Sequence, residues 1–217
     1  MNNTELIEFI KKFDSNNSAY WYGCFGQFAT KSLYESKKGQ YKSHYTADRE
    51  ARYMDDIAKS KYVLDCSGLI KSYTMRNGYD SKYDLSANMM IKRSTKTGSI
   101  DTIPEIPGIG LWKNNHVAVY LGNGTYKEAA SFASGIRIDN QLSKFTSWFY
   151  IPDIDYACII PIDTAPADDL ISKLAHDCIE GKYGNYPERK HRLNALGYGN
   201  IYIQVQRRVN DILSGKC

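Results

Sequence analysis

Apolar and polar residues change period several times along this 217-residue chain, and each change marks an element. Leu6, Ile10 and Phe13 recur at i, i+4 and i+7, which predicts an amphipathic helix within the first fourteen residues. Leu69, Ile70 and Tyr73 give an apolar face to a second helix that begins at about Cys66. From His116 the period becomes two. Val117, Val119 and Leu121 form a core-like set, so His116, Ala118 and Tyr120 point the other way. Gly122-Asn123-Gly124 reads as a hairpin turn that sends the chain back antiparallel. A further helix is expected from about Thr46 to Lys59, with Thr46 as its N-cap, and Tyr156-Ala157-Cys158-Ile159-Ile160 reads as a buried strand.

Near residue 161 the pattern breaks. Pro161-Ile162-Asp163-Thr164-Ala165-Pro166-Ala167 has the composition of a short linker, and three helical segments follow it. Asp168 or Asp169 caps the first, Ile171, Leu174, Ala175, Cys178 and Ile179 form its stripe, and Gly181 stops it. Pro187 starts the second, which ends at Gly197. Asn200 caps the third, whose apolar side is Val205, Val209, Ile212 and Leu213. The expected class is α+β: residues 1–161 as helices packed on an antiparallel sheet, 162–167 as linker, and 168–217 as a small three-helix bundle.

Composition narrows the function. A hydrophobic fraction of 42% is enough for a packed core, and no apolar run is long enough to span a membrane. The first fourteen residues lack the apolar segment of a signal peptide, so none is expected. The net charge is only +4; residues 168–217 hold eight Lys/Arg against six Asp/Glu, a net of +2, so nucleic-acid binding has little support. Five cysteines without paired spacing argue against a disulfide framework, and no metal site or cofactor is expected.

Chemistry concentrates at Cys66 and His116. A thiol in the first turn of a helix sits where unpaired N–H groups and the helix dipole favour its thiolate. A cysteine on a helix end facing a histidine on a strand is the geometry of a cysteine hydrolase. A hairpin midpoint near residue 122 puts Glu128 opposite His116 on the same face, to within one residue of register. A carboxylate there would hold the imidazole in one tautomer. Pattern alone also allows a buried structural cysteine, a structural histidine and a glutamate on an exposed edge.

Four motifs in order, Tyr20-x-x-Gly23, Asp65-Cys66-Ser67-Gly68-Leu69-Ile70, Pro107-Gly108 and His116-Val117-Ala118-Val119-Tyr120-Leu121-Gly122-Asn123-Gly124, closely resemble the NlpC family of papain-like cell-wall cysteine peptidases. The resemblance covers about residues 15 to 160. It implies Cys66 as nucleophile, His116 as general base and Glu128 as the third residue, a place where the family more often has histidine, asparagine or glutamine. It also implies that Tyr20 lies near the oxyanion or substrate and that Asp65 and Ser67 line the peptide pocket; Asp65 can equally serve as a helix N-cap. The chain departs from the family at Ile109, which replaces an acidic residue after Pro-Gly. It also departs in an insert from Phe25 to Lys61, rich in Tyr, Lys and Ser.

The tail has a signature of its own. Ile179-Glu180-Gly181-Lys182-Tyr183-Gly184-Asn185, Glu188-Arg189-Lys190-His191-Arg192-Leu193, Gly197-Tyr198 and Val205 to Leu213 resemble the CW-seven cell-wall-binding repeat of phage lysozymes, with Tyr186 in place of a second glycine. That resemblance implies binding to the sugar-peptide unit of peptidoglycan, with Tyr183, Arg189 and Arg192 as the contacts; packing of the arginine stems over a small core is the alternative. Together the two resemblances imply a phage endolysin of Gram-positive bacteria, made in the host cytoplasm and acting on the wall after holin-type release. The expected reaction is cleavage of a γ-D-glutamyl to diamino-acid bond in the stem peptide. Alternatives are an N-acetylmuramoyl-L-alanine amidase on the same scaffold, a thiol acyltransferase, or a non-catalytic wall-binding module.

Overall fold

Asn2 caps the first helix, α1 (Asn3–Ile10), by accepting from the Glu5 N–H at 2.8 Å. The helix buries Leu6 and Ile10, with Phe13 just beyond it, completely. Such side chains each contribute roughly 1.5–3 kcal/mol relative to exposure. The computed structural model describes residues 1–156, 168–185, 187–196, 198 and 201–215. It comprises two units, Met1–Tyr156 and Ala157–Cys217.

In the first unit α1 is followed by β1 (Ser18–Tyr20), β2 (Phe25–Phe28), α2 (Lys31–Gln40), α3 (Glu50–Ala58), β3 (Tyr62–Leu64), α4 (Cys66–Thr74) and α5 (Ala87–Lys92). Then come β4 (Thr97–Ser99), β5 (Gly110–Lys113), β6 (His116–Gly122), β7 (Thr125–Ser131), β8 (Gly135–Asp139) and β9 (Ser147–Phe149). Strands β4-β9-β5-β6-β7-β8 form a six-stranded antiparallel sheet, and α4 packs on β6, β7 and α1. The class is α+β, as the periodicities predict. A second sheet, β1-β3-β2, was not expected; its β1 and β3 run parallel and place Tyr20 beside Leu64, two residues before Cys66.

The insert is more ordered than its composition implies. The expected helix after Thr46 is a tight turn, Ala47–Arg49, running into α3, and the Thr46 hydroxyl makes no capping bond. Helix α2 escapes pattern reading because its sequence is mostly Lys, Ser, Glu and Gly, and it buries only Tyr34. That one residue matters. Tyr34, Tyr45 and Tyr53 pack edge-on around Trp21 with ring centroids 5.1–6.2 Å apart, and all four are buried.

The second unit contains α6 (Asp168–Ile179), α7 (Glu188–Ala195) and α8 (Tyr202–Leu213). Leu174, Ala175, Cys178, Leu193, Val205 and Val209 form its core, and Gly181 follows α6 with a left-handed φ of +80°. The expected strand through Cys158, the 161–167 linker, the capping side chains of Asp168, Asp169 and Asn200, Gly197 and Cys217 lie outside the described residues. Among the described residues no helix is long and apolar enough to cross a membrane.

Arg189, which the repeat resemblance implies at a ligand, makes hydrogen bonds within the unit. Its Nε donates to the Gly184 carbonyl at 3.1 Å and its Nη1 to Gln206 Oε1 at 3.2 Å, so one guanidinium ties the α6–α7 connection to α8. Arg192 pairs with Glu188 at 2.6 Å on the exposed side of α7, and Tyr183 packs against the core. Arg189→Ala is therefore expected to destabilise the second unit by about 1–2 kcal/mol, the worth of two lost hydrogen bonds. Thermal unfolding followed by circular dichroism checks this, with Lys173→Ala as the silent control.

Candidate active site

Three backbone segments meet at Cys66, and Asp65 joins two of them. Its Oδ1 accepts the Gly68 N–H at 2.6 Å and the Ser67 hydroxyl at 2.9 Å, capping α4. Its Oδ2 accepts the Gly23 N–H at 2.8 Å, and the Asp65 N–H donates to the Cys24 carbonyl at 2.9 Å. Gly68 permits this approach, because a Cβ there would lie 2.0 Å from the Cys24 carbonyl oxygen. Gly23 has φ +78° and leaves no room for a side chain against the Tyr41 ring. The glycines of both motifs thus let the Tyr20–Cys24 turn lie directly on the start of α4. Asp65 is an N-cap, one of its two expected roles, and both of its oxygens are engaged.

The third segment is the start of β6. The Cys66 thiol donates to the Asn115 carbonyl at 3.9 Å, and the Val117 N–H also points at the sulfur. The sulfur therefore lies against the two neighbours of His116. Asn115 holds a left-handed φ of +61°, and Asn88 on α5 keeps it there. Asn88 Oδ1 accepts the Asn115 N–H at 2.9 Å and Trp112 Nε1–H at 3.0 Å, while its Nδ2 donates to Asn114 and Asn115 side chains. No sequence pattern marked Asn88, whose part is visible only once α5 is placed beside the β5–β6 turn.

His116 is fixed on an edge and a face. Its Nε2 is 2.7 Å from Glu128 Oε2, and its ring stacks on buried Phe145 with an interplanar angle of 15°. The pairing expected between His116 and Glu128 is present, but not by direct opposition. The register is Val119↔Lys127 and Tyr120↔Tyr126, a midpoint of 123, and continued along the strands it sets Glu128 opposite Ala118. A slip of two residues keeps the face and turns direct neighbours into diagonal ones, still within reach of long side chains.

Arg137, absent from the sequence reading, completes the array. It lies opposite Glu128 on β8, and its Nε and Nη2 donate to Glu128 Oε1 at 2.9 and 2.8 Å. The Ala129↔Ile136 pairing sets that register, and a bulge between Ala129 and Ser131 hides it from counting along the sequence. Burial of the Glu128 carboxyl disfavours its ionisation, but the hydrogen bonds from His116 and Arg137 outweigh burial and hold it below its ordinary value. An ionised carboxylate only accepts, so His116 donates to it from Nε2, and in the neutral ring the lone pair falls on Nδ1.

The thiol corrects a further expectation. Burial, and then the charge of Asp65, push Cys66 up to about 12, against the opposing pull of the N–H groups of Val117, Ser67 and Cys66 itself. The helix terminus favours the thiolate as expected but is outweighed, so the resting group is a thiol. Tyr20 stands at the same place: burial, followed by the charges of Cys66 and Asp65, raises its phenol far above the usual range, which keeps it a hydrogen-bond donor. Among the described residues no group of three or more His, Cys, Asp or Glu is placed to hold a metal ion.

Comparison with known proteins bears on the two units differently. Residues 172–213 match the family model of the CW_7 repeat. The chain is similar to the P60 domain of an antigen from M. avium subspecies paratuberculosis, at 17% identity and a TM-score of 0.41, covering 71% of this chain and 98% of that one. No curated protein matches the sequence.

Two measurements test the electrostatics. Because Glu128 titrates lower in the folded state, its contribution is complete above its ordinary 4.5 and is lost as pH falls through the folded value. Glu128→Gln should lower stability by about 1–3 kcal/mol at neutral pH, and its melting temperature should fall less steeply than wild type's below pH 4.5. Alkylation of Cys66 by iodoacetamide should keep accelerating with pH beyond 8 rather than level off near neutrality.

Proposed function

We propose that the first unit is a cysteine hydrolase of peptidoglycan stem peptides, with Cys66 as nucleophile, His116 as base and Glu128 as the residue that orients it. The observation that carries this reading is the continuous array from Arg137 through Glu128 to His116, which engages Nε2, together with the contact of the Cys66 sulfur with the carbonyl of Asn115, the residue before His116. Since the thiol rests protonated, attack on the scissile carbonyl and transfer of the Sγ proton to His116 Nδ1 occur together. The Cys66 N–H at the helix start and the Tyr20 hydroxyl are the donors available to the developing oxyanion. His116 then returns the proton to the departing amine, leaving a thioester that water cleaves by the reverse sequence.

The CW_7 match supplies the partner. A wall-binding repeat on the same chain raises the local concentration of enzyme at insoluble substrate without altering the site. The combination supports an endolysin-like role on the bacterial cell wall, with the γ-D-glutamyl to diamino-acid bond as the bond we assign. The amidase alternative uses the same catalytic groups and differs only in which bond is presented to Cys66.

Purified peptidoglycan digested with the full chain and examined by mass spectrometry tests both parts. A new amino terminus on the diamino acid is the expected product, whereas freed amino termini on L-alanine would mean amidase. Cys66→Ala should lose at least about 10³-fold in turnover, as expected when a nucleophile is removed, with the fold retained. Unchanged lysis by Cys66→Ala would overturn the assignment.

A further inference from the structure

Beside the start of α4 lies an open pocket of about 460 Å³, walled on one side by Asp65, Ser67 and Lys71 and on the other by Lys37, Gln40 and Tyr41 of the insert. Its charges are unequally used. Lys71 is buried and paired with Asp84 at 2.8 Å. Both Asp65 oxygens accept hydrogen bonds from the backbone or Ser67. Lys37 is half-buried, and among the described residues it has no carboxylate within ion-pair distance; its ammonium stands 5.6 Å from the Tyr41 ring centre. A cation kept part-way out of water and not neutralised by the protein is poised for an anion from outside.

Lys37 is also held in place. It lies in the last turn of α2, whose end residue, Tyr41, donates its N–H to the Lys37 carbonyl at 2.8 Å. The Tyr41 ring packs on Gly23, in the same turn whose N–H is clamped by Asp65. The insert therefore presents Lys37 from a fixed point on the pocket that Asp65 and Ser67 also line, rather than from a free surface helix. Tyr22, stacked face to face on His44 at 3.6 Å and edge-on to Tyr41 at 5.1 Å, ties the rest of the insert to that turn.

We propose that Lys37 is a specificity residue that pairs with a free carboxylate of the substrate peptide bound in this pocket, so that the insert selects acidic over amidated stem peptides. This rests on the hydrolase reading above, but the contact itself is a binding property and can be measured without turnover. The facing groups set the balance: Asp65 is the one acidic neighbour not paired to a lysine, and its charge is spread over three donors, while Gln40 and the Tyr41 hydroxyl are neutral.

Two synthetic stem tetrapeptides, L-Ala-γ-D-Glu-L-Lys-D-Ala with the glutamyl α-carboxyl either free or amidated, provide the test. Calorimetric titration into Cys66→Ala protein should show tighter binding of the free acid by about tenfold, the scale of one partly exposed charge-assisted hydrogen bond. Adding Lys37→Gln should abolish that difference, Lys37→Glu should reverse it, and Lys37→Arg should restore most of it. In the active protein the same changes should appear in KM for the acid peptide, with kcat changed less than about twofold. Equal affinity for the two peptides, or equal weakening of both by Lys37→Gln, overturns the proposal. Preferential binding of the acid that depends on Lys37, with neither peptide cleaved, would uphold the pocket and count against the hydrolase reading.

Discussion

The carboxylate of Asp65 is the interaction on which the rest of the site depends. It accepts three hydrogen bonds from two segments, the Tyr20–Cys24 turn and the first turn of α4, and its own N–H adds a fourth link to the Cys24 carbonyl. A buried carboxylate with this many donors is stable only while all remain, since each lost donor leaves part of a charge unsatisfied. Its charge has a second effect, because it also helps keep Cys66 protonated. Structure and electrostatics are thus coupled through one side chain: what holds the start of α4 in place also disfavours the Cys66 thiolate.

Some of this was legible in the sequence and some was not, for identifiable reasons. Leu6, Ile10 and Phe13, and Leu69, Ile70 and Tyr73, were readable because burial at helical spacing is a one-dimensional signal. His116 and Glu128 were readable as sharing a face because strand parity survives a two-residue slip, although the slip itself was invisible until the bulge between Tyr120 and Gly122 was seen. Asn88 and Arg137 were not legible. Each acts through a contact across elements, 27 residues from Asn115 in one case and 9 from Glu128 in the other, and neither carries a local pattern. The thiol's charge state depended on a competition between burial and helix terminus that only three-dimensional placement resolves.

The tail illustrates a similar limit. Three helices and most of their apolar stripes follow from periodicity, although Ile179 and Leu213 are exposed, whereas the contacts of Arg189 do not. An arginine in a signature segment can serve a ligand, the fold or both, and the bonds of Arg189 to Gly184 and Gln206 give it a part in the fold. Small units with few core residues often recruit long polar side chains in this way, because their apolar interior alone buries too little surface.

The aromatic cluster of the insert has an optical consequence. Trp21 is one of three tryptophans in a chain with 18 tyrosines, and its indole N–H donates to buried Asp56 at 3.0 Å while three tyrosine rings surround it. Those rings are close enough to pass excitation to the indole, as Tyr150 is to Trp148, so it is the Trp21 share of the emission under tyrosine excitation that reports whether the insert is seated. The same residue that anchors the lobe thereby serves as its intrinsic fluorophore, and unseating of the lobe would be visible without any label.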